Sequence, residues 1–412
     1  MTVRTLSTID LFAGCGGLAE GFEASGDFEM LGAVEWEKAP RDTLVRRMYE
    51  RWGMKDAENR ILRFDMQDSD RLFSGWKDDP VYGTGAGLDA LVGSRGLDVV
   101  IGGPPCQAYS VAGRIRDGNG MRDDYRNFLF ESYLSVIRRY RPKAFIFENV
   151  PGLLSAKPNG GLIAPRIRQS FLEAGWAIPS DLKKTLVDMS EFGIPQVRRR
   201  LIILGLSVDV FGDQTEAMHN RFYEDLLPAR HAPAKTVGEA IGDLPKLVPL
   251  PINDGRTSHA SSECLPFTSD HEPRFHNARD VETFRMLADD IKSGRMRYTS
   301  AESLKELYSR LTGKTSNIHK YHVLRADKPS NLIPAHLHKD GLRHIHPDPE
   351  QARSITVREA ARLQGFPDDF EFCGSRGDKY KMIGNAVPPA FARIVADALK
   401  ELLREHEELL NR

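Results

Sequence analysis

The run Leu97-Asp98-Val99-Val100-Ile101 is stopped by Gly102-Gly103-Pro104-Pro105, and the next residue is Cys106. The run is short, largely β-branched and apolar, which is the pattern of a buried strand. Two glycines and two prolines end such a strand and stiffen the backbone beyond it. A cysteine on a rigid turn after a strand is where an α/β enzyme carries a nucleophile. The alternative for any free cysteine is a small buried hydrophobe. The stretch therefore asks for a chain that alternates strands and helices, with strand ends open to a ligand.

The chain meets that requirement at both ends. Residues 5–12 read as a strand, the glycine-rich turn Ala13-Gly14-Cys15-Gly16-Gly17 follows, and a helix starts at Leu18. Glycines between strand and helix let a ligand approach the backbone. Residues 30–34 form the next strand, ended by Glu35-Trp36. An acid at a strand end beyond a glycine turn is where α/β nucleotide binders hold ribose hydroxyls, and a neighbouring indole can stack on a base. Helix 39–52 carries an apolar stripe of Leu44, Val45 and Met48 with Tyr49. Residues 68–96, rich in Gly and Asp, read as a connection peculiar to this chain and without chemistry.

After Ser110 the stretch VAGRIRDGNGMRDDYRN has no apolar period and reads as a mobile loop, a candidate lid. Arg114, Arg116, Arg122 and Arg126 suit phosphates, partly cancelled by Asp117, Asp123 and Asp124. Helix 127–140 and strand 144–147 follow, the latter ending in Glu148-Asn149-Val150. Helix 163–174 leads on to Gln196-Val197-Arg198-Arg199-Arg200 and strand 201–206. Extended spacing puts Gln196, Arg198 and Arg200 on one face.

From about residue 213 the texture becomes polar. Eleven of the 12 histidines lie between His219 and His346, without the acidic or cysteine partners of a metal site. They read as a solvated surface, or as polar contacts to a partner. Helices are expected over 281–291 and 301–311. Regular pattern returns with a Thr356-capped helix that stops at Gly365, and with a final helix over 390–403. Residues 404–412 read as a charged, fraying tail.

Bulk properties narrow the class. The 412 residues allow two domains, and 41% hydrophobic with 28% charged residues is ordinary for a globular protein. The four cysteines, Cys15, Cys106, Cys264 and Cys373, have no paired spacing, which argues for a reducing, cytoplasmic setting. No apolar run has the length of a membrane span, and the N-terminus lacks a signal-peptide layout. A net charge of −1 leaves nucleic-acid binding to a local basic face.

Taken together, DLFAGCGGLAEGF, the Pro-Pro-Cys-Gln turn, Glu148-Asn149-Val150, Gln196-x-Arg198-x-Arg200, the helix over 353–367 and Gly384-Asn385-Ala386-Val387-Pro388 resemble, in order, the motifs of the carbon-5 cytosine DNA methyltransferases. Both ends of the chain are covered and only about 213–340 is unmatched. The family often has Phe where Pro104 or Tyr109 stands, while the cysteine and its Gln are kept. The resemblance implies an α/β, Rossmann-like S-adenosylmethionine-dependent sheet with helices on both faces. It divides the chain into a catalytic and cofactor-binding domain (1–212), a smaller target-recognition domain (213–340) and a return segment (341–412).

By the same resemblance S-adenosylmethionine is held by Phe12, Ala13, Gly14, Gly16, Gly17, Leu18, Glu35, Trp36, Asp65, Met66, Pro104, Asn385, Ala386 and Val387. Asp65 accepts from the adenine amino group, and Cys15 is only a filler. Cys106 is the nucleophile toward carbon-6 of a flipped-out cytosine, Glu148 serves ring nitrogen-3, Arg200 lies near the carbonyl at carbon-2, and Gln196 and Arg198 organise the site. No metal is implied. The expected partner is double-stranded DNA, with a cognate restriction endonuclease acting at the same site, and the expected state is a monomer in a bacterial cytoplasm, on the nucleoid when acting.

Two other functions are open to such a chain. One is a transfer-RNA methyltransferase, but that branch carries Cys-Phe-Thr where this chain has Cys264-Leu265-Pro266-Phe267-Thr268. The other is a silent DNA-binding relative, which usually lacks the catalytic residues retained here.

Overall fold

The computed structural model describes residues 4–105, 129–157, 161–251, 255–261, 268–318, 320–339 and 341–410. Cys106, Cys264 and the arginine-bearing loop after Ser110 lie outside the described residues. By their contacts the residues form two compact units, one of 1–192, 198–233 and 386–412, the other of 193–197 and 234–385.

The first unit is built on an eight-stranded sheet. In chain order its labelled elements are β1 Leu6–Leu11, α1 Gly17–Ser25, β2 Phe28–Glu35, α2 Lys38–Glu50, β3 Ile61–Arg63, β4 Val99–Gly102, α3 Leu129–Tyr140, β5 Ala144–Asn149, α4 Ile163–Ala174, β6 Trp176–Ala177, β7 Leu186–Asp188 and β8 Arg199–Ser207. The order across the sheet is β3-β2-β1-β4-β5-β8-β6, with β7 paired to β8. Strands β1 to β5 run parallel, and β8 is antiparallel to β5. Because β1 lies between β2 and β4, the chain reverses its winding there. Loops leaving those strands diverge at that point and leave a crevice for a ligand.

Residues alternate across a strand, so each face of the sheet buries its own side chains. Leu31 and Val34 join one core with Val100, Tyr133, Phe145, Phe147, Ile167 and Phe171 of β4, α3, β5 and α4. Met30 and Ala33 join another with Ala19 of α1 and with Leu44 and Met48 of α2. The parity changes within β2 because its register to β1 slips between Thr8 and Ile9, a bulge. Helices therefore cover both faces. The Tyr133 hydroxyl pins α3 beneath the sheet, 3.0 Å from the Ile146 carbonyl and 3.2 Å from that of Val100. Buried Arg47 of α2 reaches Glu20 of α1 at 2.6 Å, and Trp52 donates to the same carboxylate.

One stretch is more regular than its sequence suggested, and one expectation about this unit is corrected. Residues 68–96 are ordered: helix Ser69–Ser74, strands Trp76–Asp79 and Gly83–Gly85, and helix Gly87–Val92 pack Leu72, Trp76, Leu88 and Val92 into the core. The charged C-terminus does not fray. Helix Pro389–Leu410 continues through it, and Arg404, Glu405 and Glu407 pair with Asp27, Arg221 and Lys143.

In the second unit, helices Ala278–Lys292 and Ala301–Thr312 bury Phe284, Leu287, Leu304 and Leu307 against Tyr321, Val323, Ile345 and Ala352. Thr356 caps helix Val357–Leu363 in a reciprocal capping box with Glu359. Glu359 also holds fully buried Arg353 at 2.7 Å.

The contact boundaries differ from 213 and 341. Residues up to 233 stay with the sheet because Arg221 and Arg230 pair with Glu405 and Glu401 of the C-terminal helix. Residues 345–385 stay with the second unit because Ile345 and Ala352 complete its core. The solvated-histidine reading is also corrected: His219, His259, His271, His276, His344 and His346 are buried. No helix among the described residues is long and apolar enough to cross a membrane.

Candidate active site

At the end of β1 the backbone turns through positive φ at Phe12, Gly14 and Gly16. The Ala13 amide donates to the Val34 carbonyl at 3.1 Å, and the Gly14 amide to Glu35 Oε2 at 2.9 Å. Glu35 Oε1 accepts from the Glu37 amide at 2.8 Å. The glycine turn is thus stitched to the strand-end acid. Helix α1 then starts at Gly17 without a side-chain cap among the described residues, so the Gly17 and Leu18 amides keep their capacity for a ligand. A Cβ on Gly17 would lie 2.3 Å from the Val387 carbonyl oxygen and 3.2 Å from the Ala386 Cβ. Only glycine permits that approach, which brings Ala386 and Val387 to the turn. Leu18 is buried beside it. Asn385 is exposed at the end of helix Arg376–Asn385.

Burial raises the Glu35 pKa to about 7, against the pull of the Glu37 and Gly14 amides. Trp36 is 49% exposed, an indole open to a planar partner. Asp65 follows Phe64, whose amide donates to the Glu35 carbonyl at 3.3 Å, and Met66 is buried. Asp65 Oδ1 accepts from the Gln67 amide at 3.0 Å.

Sequence reasoning missed Asp10. It lies in β1, 1% exposed, and among the described residues neither carboxyl oxygen has a well-formed hydrogen bond. Burial raises its pKa well above the carboxylate range; the Ala19 amide offsets part of this and Glu35 adds to it. A buried, unpaired carboxyl is costly unless a ligand completes it. The signal available was an acid inside an otherwise apolar parallel strand, where both faces are covered. An orphaned acid, a ribose-type acceptor, an open indole and uncapped helix amides fit a ligand with a base, a ribose and a cationic centre, as S-adenosylmethionine has.

The next strand ends carry the other half. Beyond β4, Pro104 is buried and its carbonyl accepts from Asn149 Nδ2 at 3.5 Å. Cys106 itself lies outside the described residues. Glu148, near the end of β5, meets Arg200 of β8, with Nε 3.0 Å from Oε1 and both side chains about seven-eighths buried at 12% and 13% exposure. A Cβ on Gly103 would come 2.9 Å from Glu148 Oε2. The glycine therefore leaves that oxygen open beside the Pro-Pro turn.

Arg198 is fully buried and donates to the Ala386 carbonyl at 2.9 Å. Burial takes its pKa well below the guanidinium value, Arg200 adds to this and Glu148 opposes it. Gln196 lies in the second unit. Its Nε2 donates to Gln364 Oε1 at 2.6 Å and to the Leu363 carbonyl at 3.2 Å, and its Oε1 accepts from the Ile333 amide at 2.8 Å. The strand begins only at Arg199, yet buried Gln196 and Arg198 alternate with exposed Val197 and Arg199, so the spacing worked as an extended segment.

A mostly parallel sheet with these strand ends defines a Rossmann-like methyltransferase fold. Solved structures share it: a putative DNA modification methyltransferase encoded within an Escherichia coli prophage superposes with a TM-score of 0.59 at 24% identity, covering 97% of this chain and 100% of that one. The S. pombe Dnmt2 methyltransferase gives 0.56 at 14% identity, covering 97% and 99%. The sequence model of the C-5 cytosine-specific DNA methylases matches residues 6–76 and 89–401. The type II methyltransferase M.Bpa9945I of Bacillus paralicheniformis is 32% identical over 97% of this chain and 99% of its own length. M1.HphI of Haemophilus parahaemolyticus is 31% identical over 97% and 87%. The chain belongs to the C-5 cytosine-specific DNA methylase family and is a DNA (cytosine-5)-methyltransferase.

Proposed function

We propose that this enzyme methylates carbon-5 of a cytosine flipped out of duplex DNA, within one short sequence context, through a covalent adduct with Cys106. The observation that carries the reading is the Glu148–Arg200 pair beside Gly103, at the mouth of the turn that leads to Cys106. S-adenosylmethionine, when bound, supplies an electrophilic methyl group on a sulfonium. Phe12, Ala13, Gly14, Gly16, Gly17 and Leu18 with Glu35, Trp36, Asp65, Met66, Pro104, Asn385, Ala386 and Val387 would hold it.

Carbon-5 of cytosine is a weak nucleophile. Attack of the Cys106 thiolate on carbon-6 forms a carbon–sulfur bond and pushes the π pair toward ring nitrogen-3, which takes a proton from Glu148. The resulting enamine is electron-rich at carbon-5 and takes the methyl group. Arg200 holds one Glu148 oxygen, leaving the other for nitrogen-3, and would polarise the ring carbonyl. Water or hydroxide removes the carbon-5 proton, the carbon–sulfur bond breaks with return of the thiolate, and nitrogen-3 returns its proton to Glu148. Gln196 and Arg198 act as positioning residues, each engaged by its own neighbours. A stacked base is out of reach of such a site, hence the flip.

The recognition region, expected over about 213–340, would read base edges. Similarity to type II methyltransferases supports a restriction–modification role; a nuclease of the same site, a monomeric enzyme and a cytoplasmic setting complete the reading. The test is transfer of a labelled methyl group to mixed-sequence duplex DNA, with transfer RNA in parallel, followed by bisulfite sequencing. The expected result is 5-methylcytosine in one duplex context. Label confined to RNA overturns the substrate, and methylation without sequence preference overturns the specificity.

A further inference from the structure

The family match stops at residue 76 and resumes at 89. The intervening stretch is a built element. Strands Trp76–Asp79 and Gly83–Gly85 pair antiparallel. Asp79 Oδ1 accepts from the amides of Val81 and Tyr82, both at 2.9 Å, and Oδ2 accepts from Arg71 at 2.6 Å. Trp76 stacks on Phe64 with ring centroids 3.9 Å apart, and Tyr82 tilts onto the same ring at 5.1 Å. Phe64 is the residue between β3 and Asp65, bonded to the Glu35 carbonyl. The hairpin is therefore anchored at the strand ends expected to take the adenosine.

Arg63 makes a second tie. Its Nε donates to the Trp36 carbonyl at 3.3 Å and its Nη1 to the Val81 carbonyl at 2.9 Å. One rigid guanidinium fork thus spans the two backbones. Trp36 and Val81 are nevertheless exposed, at 49% and 56%, although both are large hydrophobics. Asp65 lies within the electrostatic reach of Tyr82, whose pKa is raised first by burial and then by that carboxylate.

We propose that the 76–85 hairpin is the outer wall of the adenine subsite and that Arg63 is the positioning residue that holds it against Trp36. A purine stacked on Trp36, with its amino group toward Asp65, would still present an outer edge on the side where Val81 and Tyr82 stand. A wall carrying Val81 and Tyr82 removes apolar surface on that side and bounds the amino edge near Asp65. The inference rests on the reading that this site binds S-adenosylmethionine.

Calorimetric titration of the whole enzyme with S-adenosylhomocysteine, and with its N6-benzyl analogue, tests it. The wild type is expected to bind the first and reject the second. Arg63→Ala and Val81→Gly should each weaken S-adenosylhomocysteine about tenfold. Both should also narrow the discrimination against the N6-benzyl analogue about tenfold, with KM for DNA and kcat at saturating cofactor unchanged. Val81 is exposed, so its variant keeps the wild-type melting temperature and separates the wall from folding. Wild-type affinity and discrimination in both variants overturn the inference. Absence of binding to the wild type overturns the underlying reading and the inference with it, and Glu35→Ala, which leaves the hairpin intact, tests that reading alone.

Discussion

Glu35 joins two jobs at one carboxyl: it closes the glycine turn through the Gly14 amide and would accept a ribose hydroxyl. A carboxylate accepts well only when ionised, and burial has moved its titration to about pH 7. As pH falls through 7 the group takes up a proton and loses acceptor capacity. The affinity for S-adenosylhomocysteine should therefore drop about tenfold per pH unit below that point. Titration calorimetry between pH 8 and 5.5 checks this, and Glu35→Gln should flatten the profile. On the catalytic side, Glu148→Gln should lower kcat at least about a hundredfold, the scale of a lost general acid. Cys106→Ser should abolish methyl transfer while leaving S-adenosylhomocysteine affinity within about twofold; turnover by that variant would remove the thiolate from the mechanism. Glu148 and Arg200, which meet in the structure, were legible in sequence as a shared candidate site because each sits in a short motif with a chemical reason for its residue type; Cys106, a candidate on the same ground, lies outside the described residues. Asp10 was not legible, since an acid in a strand shows neither its burial nor its lack of a partner until the sheet is assembled.

At the level of elements, strand ends positioned by the parallel sheet do the work. Helix α1 must lie close to the C-terminal helix for Gly17 to reach Val387, and Gly21 marks the same approach. A Cβ there would lie 2.4 Å from the Ala392 Cβ and 2.5 Å from the Arg393 amide nitrogen. Alanine improves helix propensity by roughly 1 kcal/mol, but backbone atoms that close must move, and overpacking costs about 1–3 kcal/mol. Gly21→Ala should come out neutral to about 2 kcal/mol destabilising, and Gly21→Leu clearly destabilising, by urea unfolding. Helix 163–174 was read to its observed ends because its apolar period and its closing glycine agree. The segment 68–96 was missed because its strands are too short for a period, and its order comes from Trp76 and Tyr82 stacking on a distant Phe64.

For the whole molecule, the second unit carries an acid sensitivity. Burial holds His259 and His346 at about pKa 4 and His276 and His344 at about 3. The geometry agrees: His276 Nε2 accepts from the Ser354 amide and His346 Nδ1 from the Asp348 amide, so those nitrogens carry no proton. In the unfolded chain these rings protonate near 6.5. Stability is full above that pH and is lost as pH falls from 6.5 toward 4 and 3, because only the unfolded state binds the protons. Thermal unfolding at pH 8.5, 7.5 and 5 should show no change between the first two larger than a degree or so. A fall of about 5 °C or more should follow at pH 5.

What could be decided along the chain was local in origin. Apolar period and turn residues marked the strand ends, because each depends on neighbours within a few residues, and the order of short motifs carried the resemblance that implied the fold class and the candidate side chains. What waited for the folded chain was set by distant pairs. The burial of the histidines, the orphaned Asp10 carboxyl and the union of Glu148 with Arg200 all depend on which strands adjoin. So do the unit boundaries at 234 and 386, since residues 345–385 belong where their apolar faces find a core. Burial and electrostatic environment are properties of assembled surfaces, and no window of sequence contains them.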